Sequence, residues 1–508
     1  MSRTKKFFYN AFSSMLMQVI ILITGLIIPR LMLITYGSEV NGLISSISQF
    51  IGYFALVEAG LAGASIFALY KPLADKDAKA ISEVVSATTK FYRTAGYIFL
   101  VLVFGLSISY PIFVKTESLN NIEVGCLVLV LSISTVLNFF AMARHRALIT
   151  ADQKGYVLNY LTIASTIVNT IIIVALTNIG INIVLLRVVS LISVVIAPLF
   201  LHFYVKKAYP FINYKAKPNT QALSKRWDAF ILQLLNSVQT ACPIVLATVF
   251  TSLKEVSVYS IFNMVIMGIM QIISIFGSGV SASFGELLAK KEYATFEKVY
   301  SEFECLTYFI MTLMLSCAMV LLMPFVTLYT HGITDVNYNQ PIIGFLFVLN
   351  ALLYNIKGPQ GTLVSSAGLY KETKWRTLTQ AIIAIIAGIM LTPTLGLAGI
   401  LIGLILSNVY RDIDLIIFMP KTIGHISLLK TIKRVILLLF EFAIITVPFM
   451  FIKMDIQNYI DWIMWGSIVF IYAFIIMSTL TFIFDKTTFI ALINRGLGFL
   501  KKRGKHGR

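Results

Sequence analysis

Apolar runs long enough to cross a lipid bilayer recur along this chain from end to end, and no other feature limits its fold so tightly. A hydrocarbon core of ~30 Å needs about 20 such residues per helix. Runs of this kind fall at 10–33, 43–69, 94–113, 122–143, 156–177, 181–204, 227–251, 257–285, 303–330, 341–367, 376–394, 397–418, 434–452 and 460–484. Charged residues make up 13% of the chain, against roughly 25% in a soluble globular protein. The alternation of a transmembrane barrel is absent, so helices are left as the way to satisfy the backbone in lipid. The start, Met1-Ser2-Arg3-Thr4-Lys5-Lys6, has the charge of a signal peptide. The apolar stretch from Phe12 to Leu33 is too long for one, and no small-x-small site follows, so it reads as the first span.

The basic residues are strongly one-sided. With the N-terminus placed in the cytoplasm, only Lys115, Lys254 and Lys453 fall in the opposite connections, and Arg30, Arg187, Lys357 and Arg411 fall within spans. The rest of the 41 lie on the cytoplasmic side. The positive-inside rule then puts both termini in the cytoplasm. An anionic leaflet, and not nucleic acid, accounts for the net charge of +18. The outer connections are short, the longest being His331–Gln340 and Lys453–Tyr459. That argues against a membrane glycan polymerase or ligase, which needs an outer catalytic surface; no catalytic residue is assigned, and the chain reads as a transporter. The four cysteines fall in predicted spans without metal or disulfide spacing, and the five histidines are scattered. No metal or cofactor is expected, beyond a coupling H⁺ or Na⁺.

An internal repeat organises the chain. Leu73-Ala74-Asp75-Lys76 pairs with Leu288-Ala289-Lys290-Lys291 at an offset of 215. Glu39-Val40 pairs with Glu255-Val256, and Gly180 with Gly396, at 216. Six spans separate the copies, so both run the same way, which implies a pseudo-twofold along the membrane normal with a substrate path between two bundles. The expected fold is all-α and polytopic. It has about 14 transmembrane helices: a six-helix bundle over 1–204, a cytoplasmic linker over 205–226, a second bundle over 227–420, two extra helices over 434–484 and a basic tail over 485–508. Asp75–Arg93 and Glu286–Glu302 either form amphipathic interfacial helices or simply cover the inner face of a bundle.

Charges inside spans cost at least ~2.5–3.5 kcal/mol unless they pair, snorkel or face water. Arg30, after Pro29, either snorkels to outer headgroups or points into a vestibule opened by a proline bend. Arg187 has the same two options. Lys357 sits in the polar, broken stretch Asn355-Ile356-Lys357-Gly358-Pro359, which is hard to turn toward lipid. Arg411 has Asp412 and Asp414 as neighbours for pairing. Glu58 either pairs or titrates with a coupling ion, and Glu441 reads as structural. Gln18, Gln233, Asn236, Gln239 and Asn355 supply interhelical hydrogen bonds or a polar lining. If the four cations share one cavity, its cargo is an anion, since guanidinium groups suit bidentate phosphate contact.

Arg30 with Tyr36-Gly37-Ser38-Glu39-Val40-Asn41-Gly42, then Tyr53-Phe54, Glu58-Ala59-Gly60-Leu61 and Ala147-Leu148-Ile149-Thr150-Ala151-Asp152-Gln153-Lys154, resembles the bacterial polysaccharide repeat-unit flippases of the Wzx type. These belong to the multidrug/oligosaccharidyl-lipid/polysaccharide exporter (MOP) superfamily. The resemblance spans essentially the whole chain and implies two bundles that alternate access. It implies cargo as well: a polyprenyl-diphosphate-linked oligosaccharide, of the kind used for O-antigen or capsule, moved to the outer leaflet of a bacterial inner membrane. The implied partners are that lipid-linked oligosaccharide, the phospholipid bilayer, and glycan polymerases or glycosyltransferases. Arg30 matches the first-helix basic residue of these flippases. Arg187, Lys357 and Arg411 join it as substrate-binding candidates on charge alone. Span one has no acid of the kind that binds H⁺ or Na⁺ in the sister drug exporters, which disfavours a cation-coupled multidrug exporter and leaves Glu58 as the coupling candidate.

Overall fold

Helix follows helix in the computed structural model, which describes residues 3–58, 60–214, 216–220, 237, 242–277 and 280–505. The helices are α1 (Arg3–Ala55), α2 (Leu61–Asp75), α3 (Ala78–Phe113), α4 (Asn121–Leu137), α5 (Ala143–Ala151), α6 (Gly155–Thr177) and α7 (Ile183–Ala208). Then come α8 (residues 242–250), α9 (Leu253–Gly277), α10 (Val280–Ala289), α11 (Tyr293–Tyr329), α12 (Pro341–Ile356) and α13 (Gly358–Ser366). The last are α14 (Tyr370–Leu395), α15 (Leu397–Ile423), α16 (Leu428–Thr446), α17 (Tyr459–Phe484) and α18 (Lys486–Lys505). No strand occurs among the described residues. Ten helical stretches there are long and apolar enough to cross a membrane.

The predicted spans on described residues coincide with helices, but several are joined, bent or broken. Spans one and two run together as α1, bent where Gly37 takes φ 80° and ψ 174°, a conformation open only to glycine. Span two is broken: a 3₁₀ turn at Leu56–Glu58 and a left-handed Gly60 separate α1 from α2. Asp75–Arg93 and Glu286–Glu302 form no separate interfacial helices. Asp77 caps the amides of Lys79 and Ala80 and launches α3 as one helix of 36 residues, and α11 likewise runs unbroken for 37.

The repeat is visible in the backbone. Lys76 (φ 54°) and Lys291 (φ 60°) make the same left-handed turn before α3 and α11. Gly180 and Gly396 both take positive φ in the next matching turn. The fourth span of each copy is distorted at the same place, by a π turn at Asn138–Met142 and by the break at Lys357.

The chain divides into two compact units, Met1–Ser260 with Gly332–Val336, and Ile261–His331 with Asn337–Arg508. In the first unit, α1, α3 and α4 bury Leu43, Ile47, Tyr92, Phe99 and Leu127. α2, α3, α5 and α7 bury Leu69, Ile81, Leu148 and Leu201. Chain from the predicted linker lies along α3: Asn213 N–H donates to Ser82 Oγ (3.1 Å), and Ser86 Oγ donates to the Ala216 carbonyl (2.7 Å). In the second unit, α10, α11, α13 and α15 enclose Phe284, Phe296, Leu363 and Met419. α14 and α15 meet through Gly399 and Gly403, where an added Cβ would stand 2.4 Å from the Leu391 carbonyl oxygen and 2.8 Å from the Gly388 nitrogen. This small-residue spacing lets membrane helices approach closely. α16 and α17 pack on α11, where Trp462 Nε1–H donates to the Leu321 carbonyl (3.1 Å).

Candidate functional site

In the second unit the break after α12 brings Lys357 toward α15. Pro359 has no amide to continue the ladder, so the chain restarts as α13 and the Lys357 side chain is held by tertiary partners. Its Nζ donates to Asn408 Oδ1 and lies 4.5 Å from the centre of the Tyr354 ring. Asn408 Oδ1 also accepts from Gln380 Nε2 (3.1 Å), and Asn408 Nδ2 donates to Asn350 Oδ1 (2.9 Å). Asp412 follows one turn later on α15 and interacts electrostatically with Lys357. It is only 6% exposed; its carboxylate meets the Lys357 backbone and has no side-chain hydrogen bond among the described residues. Arg411 turns to Asp414 (Nη1 to Oδ2, 2.7 Å) and donates to Thr377 Oγ1 (3.1 Å). Arg376 of α14 takes the other oxygen of Asp414. Two predicted cations, Lys357 and Arg411, thus share one cluster. With Arg376 they face two acids, which leaves one positive charge in excess.

Arg187 and Arg30 belong to the first unit. Arg187 is half-buried on α7. Its Nη2 reaches only Met32 Sδ at 3.8 Å, a weak acceptor, and its Nε is buried without a partner. The neighbouring Tyr36 hydroxyl is spent on the Ile181 carbonyl (2.8 Å). Arg187 makes no ion pair among the described residues. Arg30 is half-buried on α1, one residue after Pro29. Glu58 sits in the 3₁₀ turn, 3.7 Å from Arg146, with its second oxygen unpartnered. Gln18 is exposed on α1. Asn355 donates to the Ala351 carbonyl (2.8 Å) and contacts Met270 Sδ. Gln233, Asn236 and Gln239 lie outside the described residues. Glu441 accepts from Thr481 Oγ1 (3.2 Å), a structural contact.

Two further polar junctions in the first unit fix the ends of its helices. Ser38 donates through its amide and hydroxyl to Asp335 (2.7 Å each), and Asn41 Nδ2 donates to Ser257 Oγ (2.7 Å). Asn41 and Ser257 are 216 apart, so equivalent positions of the two copies touch. At the basic ends, Asp152 gathers Lys6 (2.9 Å), Lys154 (2.8 Å) and the Tyr209 hydroxyl (2.5 Å). Burial pushes the Asp152 carboxyl up, but the hydrogen bonds from Lys154, Lys6 and Tyr209 outweigh it and hold it below its ordinary value. Burial and the same contact push the Tyr209 hydroxyl up. Charge counting could not find Arg376, Asn408 or Gln380, because their partners lie on other helices; the one local signal was the spacing of Asn408, Arg411 and Asp412 on α15.

No protein-family model matches this chain, and no curated protein matches it. Among solved structures, the lipid II flippase MurJ in an inward closed conformation aligns with a TM-score of 0.66 at 13% identity, over 93% of this chain and 98% of its own. An inward-facing multidrug resistance MATE family transporter of the MOP superfamily aligns with a TM-score of 0.66 at 16% identity, over 80% and 94%. The MATE multidrug transporter DinF-BH, solved as a complex, gives 0.60 at 16%, over 84% and 97%. What is shared at such identity is the fold: this chain is an all-α, multi-pass membrane protein with the architecture of the MOP-superfamily transporters.

Proposed function

We propose that this chain is an alternating-access flippase that carries a polyprenyl-diphosphate-linked oligosaccharide from the cytoplasmic to the outer leaflet of a bacterial inner membrane. The observation that carries the proposal is Arg187, a guanidinium on an apolar helix with no ion pair and a buried Nε without a partner among the described residues. A buried charge of this kind is costly unless a ligand completes it. A diphosphate offers the bidentate oxygens that a guanidinium fits. In the other unit, Lys357 is a further cation, hydrogen-bonded to the Asn408 side chain with Asp412 as its counter-charge. Arg30 is the third proposed cation, while Arg411, tied to Asp414, orients the cluster around Lys357. The likeness to a lipid II flippase over 93% of the chain supports a lipid-linked cargo.

In a strain that depends on this protein for surface glycan, Arg187→Gln should abolish the glycan at normal expression. Diphosphate-linked oligosaccharide should accumulate on the inner leaflet, read by mass spectrometry. Normal glycan in that variant would remove Arg187 from the mechanism. A cation-coupled multidrug exporter is the second reading, favoured by the buried Asp412 carboxylate and the likeness to DinF-BH. Drug resistance on overexpression, with intact glycan on deletion, would select it.

A further inference from the structure

A groove of about 650 Å³ opens in the second unit along α16, outside the repeated helices. One stripe of α16 lines it: Ser427, Lys430, Lys433, Leu437 and Phe440, at steps of three and four residues, the spacing of a single helix face. The other face of α16 is already spent, because Thr431, Arg434, Leu438, Glu441 and Ile445 are buried.

The stripe is graded. Its first turns carry a hydroxyl and two ammonium groups beside Leu429. The turns beyond are apolar and continue onto Phe484 of α17. Phe440 and Phe484 are 50% and 66% exposed. Lys430 and Lys433 make no side-chain hydrogen bond or ion pair among the described residues. Two opposite charges also line the groove, Arg434 and Asp485, but they are consumed by each other (2.6 Å) and by Glu304 and Thr488. The free charge in the groove is therefore positive and confined to one end. The volume lies in the range of sites that enclose one small ligand.

We propose that this groove is a binding site for an anionic phospholipid, with the headgroup phosphate on Lys430 and Lys433 and an acyl chain along Leu437, Phe440 and Phe484. A basic pocket between membrane helices, with apolar walls leading away from it, has the chemistry that selects such lipids. The groove lies on α16 and α17, outside the repeated helices that carry the candidate site, and the proposal commits to a resident lipid and not to the transported cargo. The inference does not depend on which cargo the protein carries.

The test uses the full chain, purified and delipidated, with phosphatidylglycerol or phosphatidylcholine added back and retention followed by native mass spectrometry. Phosphatidylglycerol should be retained in preference to phosphatidylcholine. In Lys430→Gln/Lys433→Gln its retention should weaken roughly tenfold to thirtyfold, with the lipid-free melting temperature unchanged. The control pair Lys290→Gln/Lys291→Gln should retain it as the wild type does. Equal retention of both lipids, equal loss in the control pair, or no loss in the Lys430/Lys433 variant would overturn the site. Displacement of phosphatidylglycerol by a short polyprenyl diphosphate at lower concentration would also overturn it, by making the groove a cargo site.

Discussion

A side chain at position 42 should force α1 away from α9. A Cβ on Gly42 would stand 1.8 Å from the Leu253 carbonyl oxygen and 3.1 Å from the Ser257 amide nitrogen, where ordinary contact begins at 3.4 Å. The obstructing atoms are backbone, so no rotamer change relieves them; the two helices must part by about 1.6 Å. Overpacking of this kind costs typically 1–3 kcal/mol, and the Asn41–Ser257 bond beside it adds about 1 kcal/mol when lost. Gly42→Ala should therefore disfavour the contact by about 3 kcal/mol, a factor of roughly a hundred in its population. The opposite sign is also defined: in an uncrowded helix, Gly→Ala stabilises by about 1 kcal/mol. The assay is thiol labelling of Ser46→Cys, with Cys126, Cys242, Cys305 and Cys317 replaced by serine. Ser46 is fully buried and hydrogen-bonded by Tyr110 and Thr248 (2.7 Å each). Gly42→Ala should speed labelling by a membrane-impermeant maleimide at least tenfold. An unchanged rate with an unchanged or higher melting temperature would show that nothing crowds position 42.

Two further outcomes concern stability. Asp152 has its folded-state pKa lowered, so its contribution is present above its unfolded value of about 3.9 and is lost as pH falls through the folded value. Asp152→Asn should cost about 1–2 kcal/mol at neutral pH and flatten the acid limb of a melting-temperature profile below about pH 4. Glu304 accepts from Tyr300 (3.1 Å), Gln360 (3.1 Å), Thr431 (2.8 Å) and Arg434 (2.7 Å) at one buried point. Glu304→Ala should destabilise the second unit by about 3–5 kcal/mol, and Glu304→Gln by less, as read by thermal unfolding in detergent.

The parts of the fold that could be read from the sequence are those set by local rules. Twenty-residue apolar runs decide where helices cross, and the Leu73–Lys76 and Leu288–Lys291 turns recur because the same short segment makes the same left-handed corner. Of the two readings of Asp75–Arg93, a separate interfacial helix is the one not formed, because Asp77 supplies an N-cap and nothing after it breaks the helix before Phe113. The site was harder. Asp414 was visible beside Arg411, but Arg376, which takes its other oxygen, comes from α14, 38 residues away. Arg434 and Glu304 are 130 residues apart, each at the start of a different apolar run. Pairing of this kind is tertiary and leaves no periodic trace.

The two copies of the repeat differ where the candidate site lies. At an offset of 216, Lys357, Asn408 and Asp412 correspond to Ala141, Ile192 and Ile196, while Arg187 corresponds to Gly403. Both copies distort the fourth span at this place, so the distortion belongs to the shared scaffold and the charges belong to one copy. The scaffold therefore tolerates an apolar version, and stability and function should separate by mutation. Lys357→Ala leaves the buried Asp412 carboxylate without its counter-charge, which should cost about 3 kcal/mol. Adding Asp412→Ile restores the residue pair of the first copy, removes the stranded charge, and should recover most of the melting temperature. On the proposed function, surface glycan at matched expression should stay lost in both variants. A double variant as unstable as the single one would show that Lys357 and Asp412 do not compensate each other. One that transported normally would show that the difference between the copies carries no function here.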